Sequence, residues 1–305
     1  MAMHRWPITA RAALLALVAA SLAGCGDDAA VTTTADATTT TTATTAPVTT
    51  MPAPTGIPVV IDTDLAMDSV MAVLYLLAQP GMDVRALTVS GTGEVHCDPG
   101  VGIAAGLVVL AGAGEVPVSC GPEVSLEGEN AFPISWRQAA DGAWGMDLPR
   151  GAEASPLPAP ELLVSVILAS AEPVVIFADG PLTNLAAALR LDPAIAGNVA
   201  MTFVMGGAVD VPGNTPRNPD AEYNFWVDPL AASEVLASGL PVTLVPLDAT
   251  DQAPMGTLHL RVLRQHAVTP AADAVVAMLE ANAGFLGSGG MFFWDQVAAA
   301  LLVDE

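Results

Sequence analysis

Positive charge is scarce in this 305-residue chain: nine Lys and Arg stand against 32 Asp and Glu, a formal net charge of −23. A chain with so few cations cannot neutralise many phosphates. That excludes nucleic acid as a partner and excludes electrostatic attachment to anionic lipid. Cysteine is rare as well. Three residues, Cys25, Cys97 and Cys120, do not make a disulfide framework. Two readings of Cys97 and Cys120 stand side by side: a pair formed outside the cytoplasm, or two buried free thiols. A long apolar run is also missing at the N-terminus. Residues 12–20 fall short of the ~20 apolar residues that a spanning helix needs. No internal repeat is visible.

The short apolar run fits a secretory signal instead. Arg5 and Arg11 supply the positive flank, and Leu22-Ala23-Gly24-Cys25 closes the segment at residues 1–25. That tetrapeptide resembles the lipobox of bacterial lipoproteins. The resemblance implies lipidation at Cys25 and an extracytoplasmic protein held at the cell membrane by that lipid. An ordinary cleaved signal or an uncleaved anchor is the alternative. Residues 26–56 follow as a Thr-rich tether, with Thr at twelve of the nineteen positions from Thr32 to Thr50. Such a stretch buries too little to offset its ordering entropy.

The remainder, 57–305, is long enough for one large domain. Strand-like runs at 59–61, 84–89, 116–119, 174–177, 202–205 and 242–246 alternate with helix-period stretches at 68–79, 100–112, 160–171, 183–190 and 228–238. Apolar strands separated by helices predict an α/β fold, a mostly parallel central sheet flanked by helices in the Rossmann-like manner. Ligands in such sheets bind at the carboxyl ends of strands. The polar residues gather there. Residues 60–68 read Val-Ile-Asp-Thr-Asp-Leu-Ala-Met-Asp, which places Asp62, Asp64 and Asp68 within seven residues. Carboxylates this dense repel one another unless a cation or sugar hydroxyls lie between them. Asp179-Gly180-Pro181-Leu182-Thr183-Asn184, then Met205-Gly206-Gly207, Gly213-Asn214, Glu222-Tyr223-Asn224 and Trp294-Asp295 complete the set. Acids and amides with almost no nearby Lys or Arg suit a hard cation and a neutral polyhydroxylated ligand, not a phosphate.

Blander roles compete at single positions. Asp68 could be only a helix N-cap, Asn184 a turn residue, and Asp228-Pro229 a helix start. Trp226 reads as core and His96 as a surface histidine.

Asp62-Thr63-Asp64-x-x-x-Asp68 resembles the Asp-x-Asp-Pro-Gly-x-Asp-Asp signature of the inosine–uridine-preferring nucleoside hydrolase family. Gly-Pro-Leu-Thr-Asn-Leu-Ala, Met-Gly-Gly-Ala, Gly-Asn-Thr-Pro, Ala-Glu-Tyr-Asn-Phe-Trp-Val-Asp-Pro and Pro-Leu-Asp-Ala-Thr follow in that family's order over nearly all of 57–305. The resemblance implies hydrolysis of the N-glycosidic bond of ribonucleosides by a metal-activated water. In it, Asp64 takes the proton from the water and binds Ca2+ together with Asp295 and the backbone carbonyl of Asp179. Asp68, Asn214, Glu222, Asn224, Asp295 and the backbone near Met205 hold the ribose, and Thr92, which stands where relatives carry Asn, is a further substrate contact. Trp294 replaces the His many relatives place before the late Asp, as in purine-preferring members, and would stack on the base. Trp144 or Trp136 would supply a second stacking face. A homo-oligomer also fits the resemblance.

The signature is broken at its end. Ser69 stands where the family has a metal-binding Asp, so the metal set implied here, Asp64, Asp179, Asp295 and Ser69, is one carboxylate short. Leu65-Ala66 replaces Pro-Gly. The chain stops at Glu305, soon after Asp295, so the resemblance implies a domain lacking the family's C-terminal portion. A non-catalytic nucleoside- or sugar-binding lipoprotein on the same fold, and a hydrolase of another N-ribosyl compound, are the alternatives.

Overall fold

The computed structural model describes residues 56–304. The signal segment 1–25 with Cys25, and the tether up to residue 55, lie outside the described residues. No helix among the described residues is long and apolar enough to cross a membrane.

Six strands form one sheet in the order β3-β2-β1-β4-β5-β6, and every pairing is parallel. They are β1 (Ile57–Thr63), β2 (Met82–Val89), β3 (Val118–Cys120), β4 (Val174–Ala178), β5 (Val199–Met205) and β6 (Val242–Val245). All six strand-like runs of the sequence are strands. Five helices follow the predicted stretches: α1 (Met67–Leu77), α2 (Cys97–Ala111), α4 (Ala159–Ala169), α5 (Thr183–Leu191) and α7 (Pro229–Ala237). Between them lie α3 (Ile134–Asp141) and the five-residue α6 (Tyr223–Val227). After β6 come α8 (Leu247–Thr250), α9 (Thr257–His266), α10 (Pro270–Ala281), α11 (Ala283–Gly287) and α12 (Trp294–Asp304).

Parallel strands need helical crossovers, and these cover both faces of the sheet. Val59 and Ile61 point into a core shared with α1, α2, α9, α10 and α12. Val60 points the other way, into a core built with α4, α5 and α7. The alternation follows from the two-residue period of a strand. It also decides where Asp62 goes. Asp62 follows Val60 toward α5, where it accepts hydrogen bonds from Asn184 Nδ2 (2.8 Å) and Thr88 Oγ1 (2.8 Å).

The chain leaves β1 toward β2 on one side and later returns to β4 on the other. The β1–β4 boundary is therefore the point at which strand order reverses, where open parallel sheets leave a crevice. Asp62 pairs with Ala178 across it, so Asp64 and Asp179 leave adjacent strand ends side by side. The last helix, α12, packs against α1 and brings Asp295 to the same place.

Cys97 and Cys120 form a disulfide, with Cα atoms 5.5 Å apart, which joins the start of α2 to the end of β3. Of the two readings open in the sequence, the structure takes the paired one.

Candidate active site

At the carboxyl ends of β1, β2, β4 and β5 lies a cavity of about 400 Å³, the size of a small-molecule site. Six carboxylates line it: Asp64, Asp68, Glu94, Asp179, Glu222 and Asp295. No Arg side chain is among the lining residues. All six acids are buried.

Asp64 stands at the centre. Its Oδ1 accepts from the Ala66 N–H (3.2 Å) and from Ser69 Oγ (3.2 Å), and its Oδ2 accepts from the Glu94 N–H (3.2 Å). These bonds are all long, and burial pushes the Asp64 carboxyl up to about 7. Close packing holds it in place. A Cβ on Gly180 would lie 2.8 Å from the Asp64 Cβ, and one on Gly93 would overlap it. Two glycines are thus required for the loops after β2 and β4 to close on this side chain.

Asp68 is in the first turn of α1, and burial raises it to about 6. The N-cap position is Ala66 and no side chain caps the helix, so Asp68 is not there as a cap. Burial raises Asp295 and Asp179 well above the usual carboxylate range, and neighbouring acids add to the rise. Both carboxyl oxygens of Asp179 are buried without a partner.

Ser69 lies between the two ends of the chain. Its hydroxyl is 2.7 Å from Asp295 Oδ2 and 3.2 Å from Asp64 Oδ1. One proton cannot serve both fully, so the two acids compete for a single donor. The residue that breaks the family signature is thus the bridge between its two principal acids.

The remaining polar walls come from the loop before α6. Asn214 Oδ1 accepts from the Tyr223 N–H (2.9 Å), which leaves its amide NH2 for a ligand. Asn224 Nδ2 donates to the carbonyls of Asp179 (3.1 Å) and Met205 (3.2 Å), which leaves its Oδ1. The Asp179 carbonyl therefore already carries one hydrogen bond. Glu222 is the N-cap of α6. It accepts from the N–H groups of Asn224, Phe225 and Gly207 at 2.8–3.1 Å, three of roughly four acceptor positions. Burial still raises it.

Aromatic side chains form the opposite wall. Trp144 Nε1 donates to the Leu65 carbonyl (2.9 Å), and Asn282 Nδ2 donates to the Trp144 carbonyl (3.0 Å). Leu65, Ala143 and Trp144 all have left-handed backbone (φ 56°, 51° and 54°). Such backbone costs about 1 kcal/mol or more per non-glycine residue and persists only where the surroundings fix it. A proline cannot adopt φ 56°, so this loop follows a course that the signature's Pro-Gly would not allow. Trp136, Phe132, Trp294 and Tyr223 also line the cavity, with the Phe132 and Tyr223 rings stacked at 5.0 Å.

The sequence-predicted site residues thus gather as follows. Asp64, Asp68, Asp179, Met205, Asn214, Glu222, Asn224, Trp294 and Asp295 all line one cavity, with Ser69 bonded to two of them. Thr92 does not. Its hydroxyl pairs with Thr183 (2.9 Å) and Ser90 (3.2 Å), in a chain that ends on Asp228, and it is not part of the cavity wall. Asp62 is likewise turned away, held by Asn184 as a positioning group. His96 bonds Asp141 (2.8 Å) at the surface. Glu94 is the acid that sequence patterns passed over. Its signal was an acid in the Gly91-Thr92-Gly93 loop directly after β2.

Among the described residues no three His, Cys, Asp or Glu side chains form a ready-made cage for a metal ion. The corner still suits a hard cation: it holds several buried acceptors and few donors, and such acceptors need a partner. A cation here would draw on Asp64, Asp295, a backbone carbonyl and ligand oxygens.

Known proteins resemble this chain in sequence and fold. The model of a family described as inosine-uridine preferring nucleoside hydrolase matches residues 59–305. The pyrimidine-specific ribonucleoside hydrolase RihA of Salmonella arizonae is 32% identical over 212 residues, 68% of this chain and 66% of that protein. The match therefore spans just under two thirds of the curated relatives' length. A plant nucleoside hydrolase superposes with a TM-score of 0.72 at 30% identity, over 81% of this chain and 79% of its own. A purine-preferring ribonucleoside hydrolase from Gardnerella vaginalis gives 0.65 at 28% identity, over 81% and 80%.

Proposed function

This chain belongs to the inosine-uridine preferring nucleoside hydrolase family, and we propose that it hydrolyses the N-glycosidic bond of ribonucleosides to ribose and free base. One observation carries the reading: a single cavity joins Asp64, Asp68 and Asp295 to the amides of Asn214 and Asn224 and to the indoles of Trp144 and Trp294. The acids and amides suit a ribose diol, and the aromatic wall suits a planar base.

Cleavage passes through an oxocarbenium-like sugar. The carboxylates around the cavity favour that developing positive charge, because the site is buried and no Arg side chain lines it. Asp64, raised toward neutrality by burial, accepts the proton of the attacking water. Asp68 and the free amide groups of Asn214 and Asn224 orient the sugar hydroxyls. Ca2+ bound by Asp64, Asp295, the Asp179 carbonyl and the Ser69 hydroxyl would lower the pKa of the water and hold the diol. Ser69 is neutral, so affinity for that ion is lower than an Asp at this position would give. Trp294 has no proton to spare for the leaving base. It stacks on the base and leaves protonation to solvent.

A preference for purines fits two indoles on the base side, whereas the curated relatives named pyrimidine-specific favour the smaller ring. Release of reducing sugar from inosine, guanosine, adenosine, uridine and cytidine decides between them. No release from any of these, at high protein concentration and millimolar calcium, refutes the proposal. Ligand-dependent thermal stabilisation without turnover would instead support a nucleoside-binding protein, the reading that Ser69 favours. Turnover confined to another N-ribosyl compound would mark a hydrolase of that compound. We further assign the protein to an extracytoplasmic site, lipid-anchored through Cys25. The Cys97–Cys120 disulfide supports an oxidising compartment. Metabolic labelling with a fatty acid, lost on Cys25→Ser, tests it.

A further inference from the structure

Ser69 leaves the acid corner one carboxylate short, yet a buried acid absent from the family signature enters the same cavity from another loop. Glu94 is 6% exposed and lines the cavity, and its Oε2 has no hydrogen-bond partner. The loop that carries it is fixed on Asp64. The Ser90 N–H donates to the Thr63 carbonyl (2.8 Å), the Glu94 N–H to Asp64 Oδ2 (3.2 Å) and the Val95 N–H to the Asp64 carbonyl (3.2 Å). Gly93 permits that approach, and the disulfide at Cys97 anchors the end of the loop.

Glu94 is not spent in an internal salt bridge. Burial, with Asp64 and Asp68 beside it, pushes the Glu94 carboxyl well above the usual carboxylate range; Arg137 opposes this only in part, its guanidinium Nη2 donating to the Gly91 carbonyl (2.8 Å), and Oε2 stays free. An isolated acid in this position would be a costly feature, since buried charge without a partner is strongly unfavourable. A cation in the corner removes that cost, and calcium affinity in proteins is tuned by the number of charged ligands around the ion.

We propose that Glu94 supplies the anionic charge that position 69 lacks, so that cation affinity in this chain depends on Glu94 as it would on an aspartate at 69. The inference rests on the reading of the corner as a cation site, and its test separates the two.

The test is calorimetric titration of the chelator-stripped protein with calcium chloride, on the unmodified chain, Glu94→Gln, Ser69→Asp and the double variant. Thermal unfolding of each in chelator accompanies it. Glu94→Gln is expected to weaken calcium binding by roughly tenfold or more, and Ser69→Asp in that background to restore it. In chelator, Glu94→Gln should unfold no earlier than the unmodified protein, because a buried acid that is costly to ionise beside Asp64 and Asp68 has been replaced by a neutral side chain of the same shape. Calcium binding within about twofold of the unmodified protein overturns the proposal alone. An earlier unfolding transition in chelator with unchanged calcium binding also overturns it, and marks Glu94 as a structural partner of Arg137. Absence of calcium binding by the unmodified protein up to about 10 mM overturns the cation reading of the corner and this proposal with it.

Discussion

Ser69→Asp is expected to weaken the cation-free protein and strengthen its hold on calcium. Ser69 is fully buried, and its hydroxyl is the donor that Asp295 and Asp64 share. Aspartate removes a hydrogen bond to charged acceptors, worth about 1.5–3 kcal/mol. It also adds a carboxylate to a corner that already holds Asp64, Asp68, Asp179 and Asp295. A like-charge pair ~5 Å apart at an effective dielectric near 20 repels by about 3 kcal/mol before protonation relieves it. Protonation removes most of that repulsion, so a net loss of about 3 kcal/mol is expected in chelator. For a domain of this size that lowers Tm by about 6–12 °C. Calcium reverses the sign of the new charge's contribution. A tenfold to hundredfold gain in affinity, about 1.4–2.8 kcal/mol, would recover much of the deficit at millimolar calcium. Calorimetric titration gives the affinity, and thermal unfolding in chelator and in calcium gives the two stabilities. An unchanged calcium Kd, or a variant as stable as the parent in chelator, refutes the geometry assigned to Ser69.

Asp64→Asn should keep the fold by circular dichroism and lower kcat on the order of 10²–10⁴-fold, since it removes the proton acceptor; a loss under tenfold in the sugar-release assay would place the base elsewhere. Gly93→Ala puts a methyl group inside the Asp64 side chain. It should displace the loop and abolish both calcium binding and turnover, measured on protein that still shows a cooperative unfolding transition. Cys97→Ser with Cys120→Ser opens a loop with a sequence separation of 23. The loss should be about 3 kcal/mol on loop entropy, seen as a Tm lower by roughly 6–12 °C and reproduced in the unmodified protein by reductant.

The parallel sheet was legible because six apolar runs of strand length alternate with helix-period stretches, and burial on both faces leaves little other option. The late helices α9 and α10 were not foreseen. The acidic residues and amides of the site were visible because strand ends are where such sheets bind ligands, and Asp64, Asp68, Asn224 and Asp295 all arrive there. Thr92 lies in the loop after β2, but its hydroxyl is bonded to Thr183 and Ser90, a partnership that depends on the neighbouring β4 loop. Glu94 was overlooked because a single acid in a glycine-rich loop has no local pattern to mark it.

By itself, the sequence determined the periodicity, the acidity, the order of the motifs and the missing carboxylate at 69. Each of these is a local property or a count, and each survives without knowledge of distant contacts. Tertiary structure decided which acids share a cavity. It turned Asp62 toward Asn184 and Asp64 toward the ligand space, paired Cys97 with Cys120, and set the Ser69 hydroxyl between Asp64 and Asp295 across 226 residues of chain. Those outcomes depend on strand order and on the packing of α12 against α1, which are long-range contacts that no local pattern encodes.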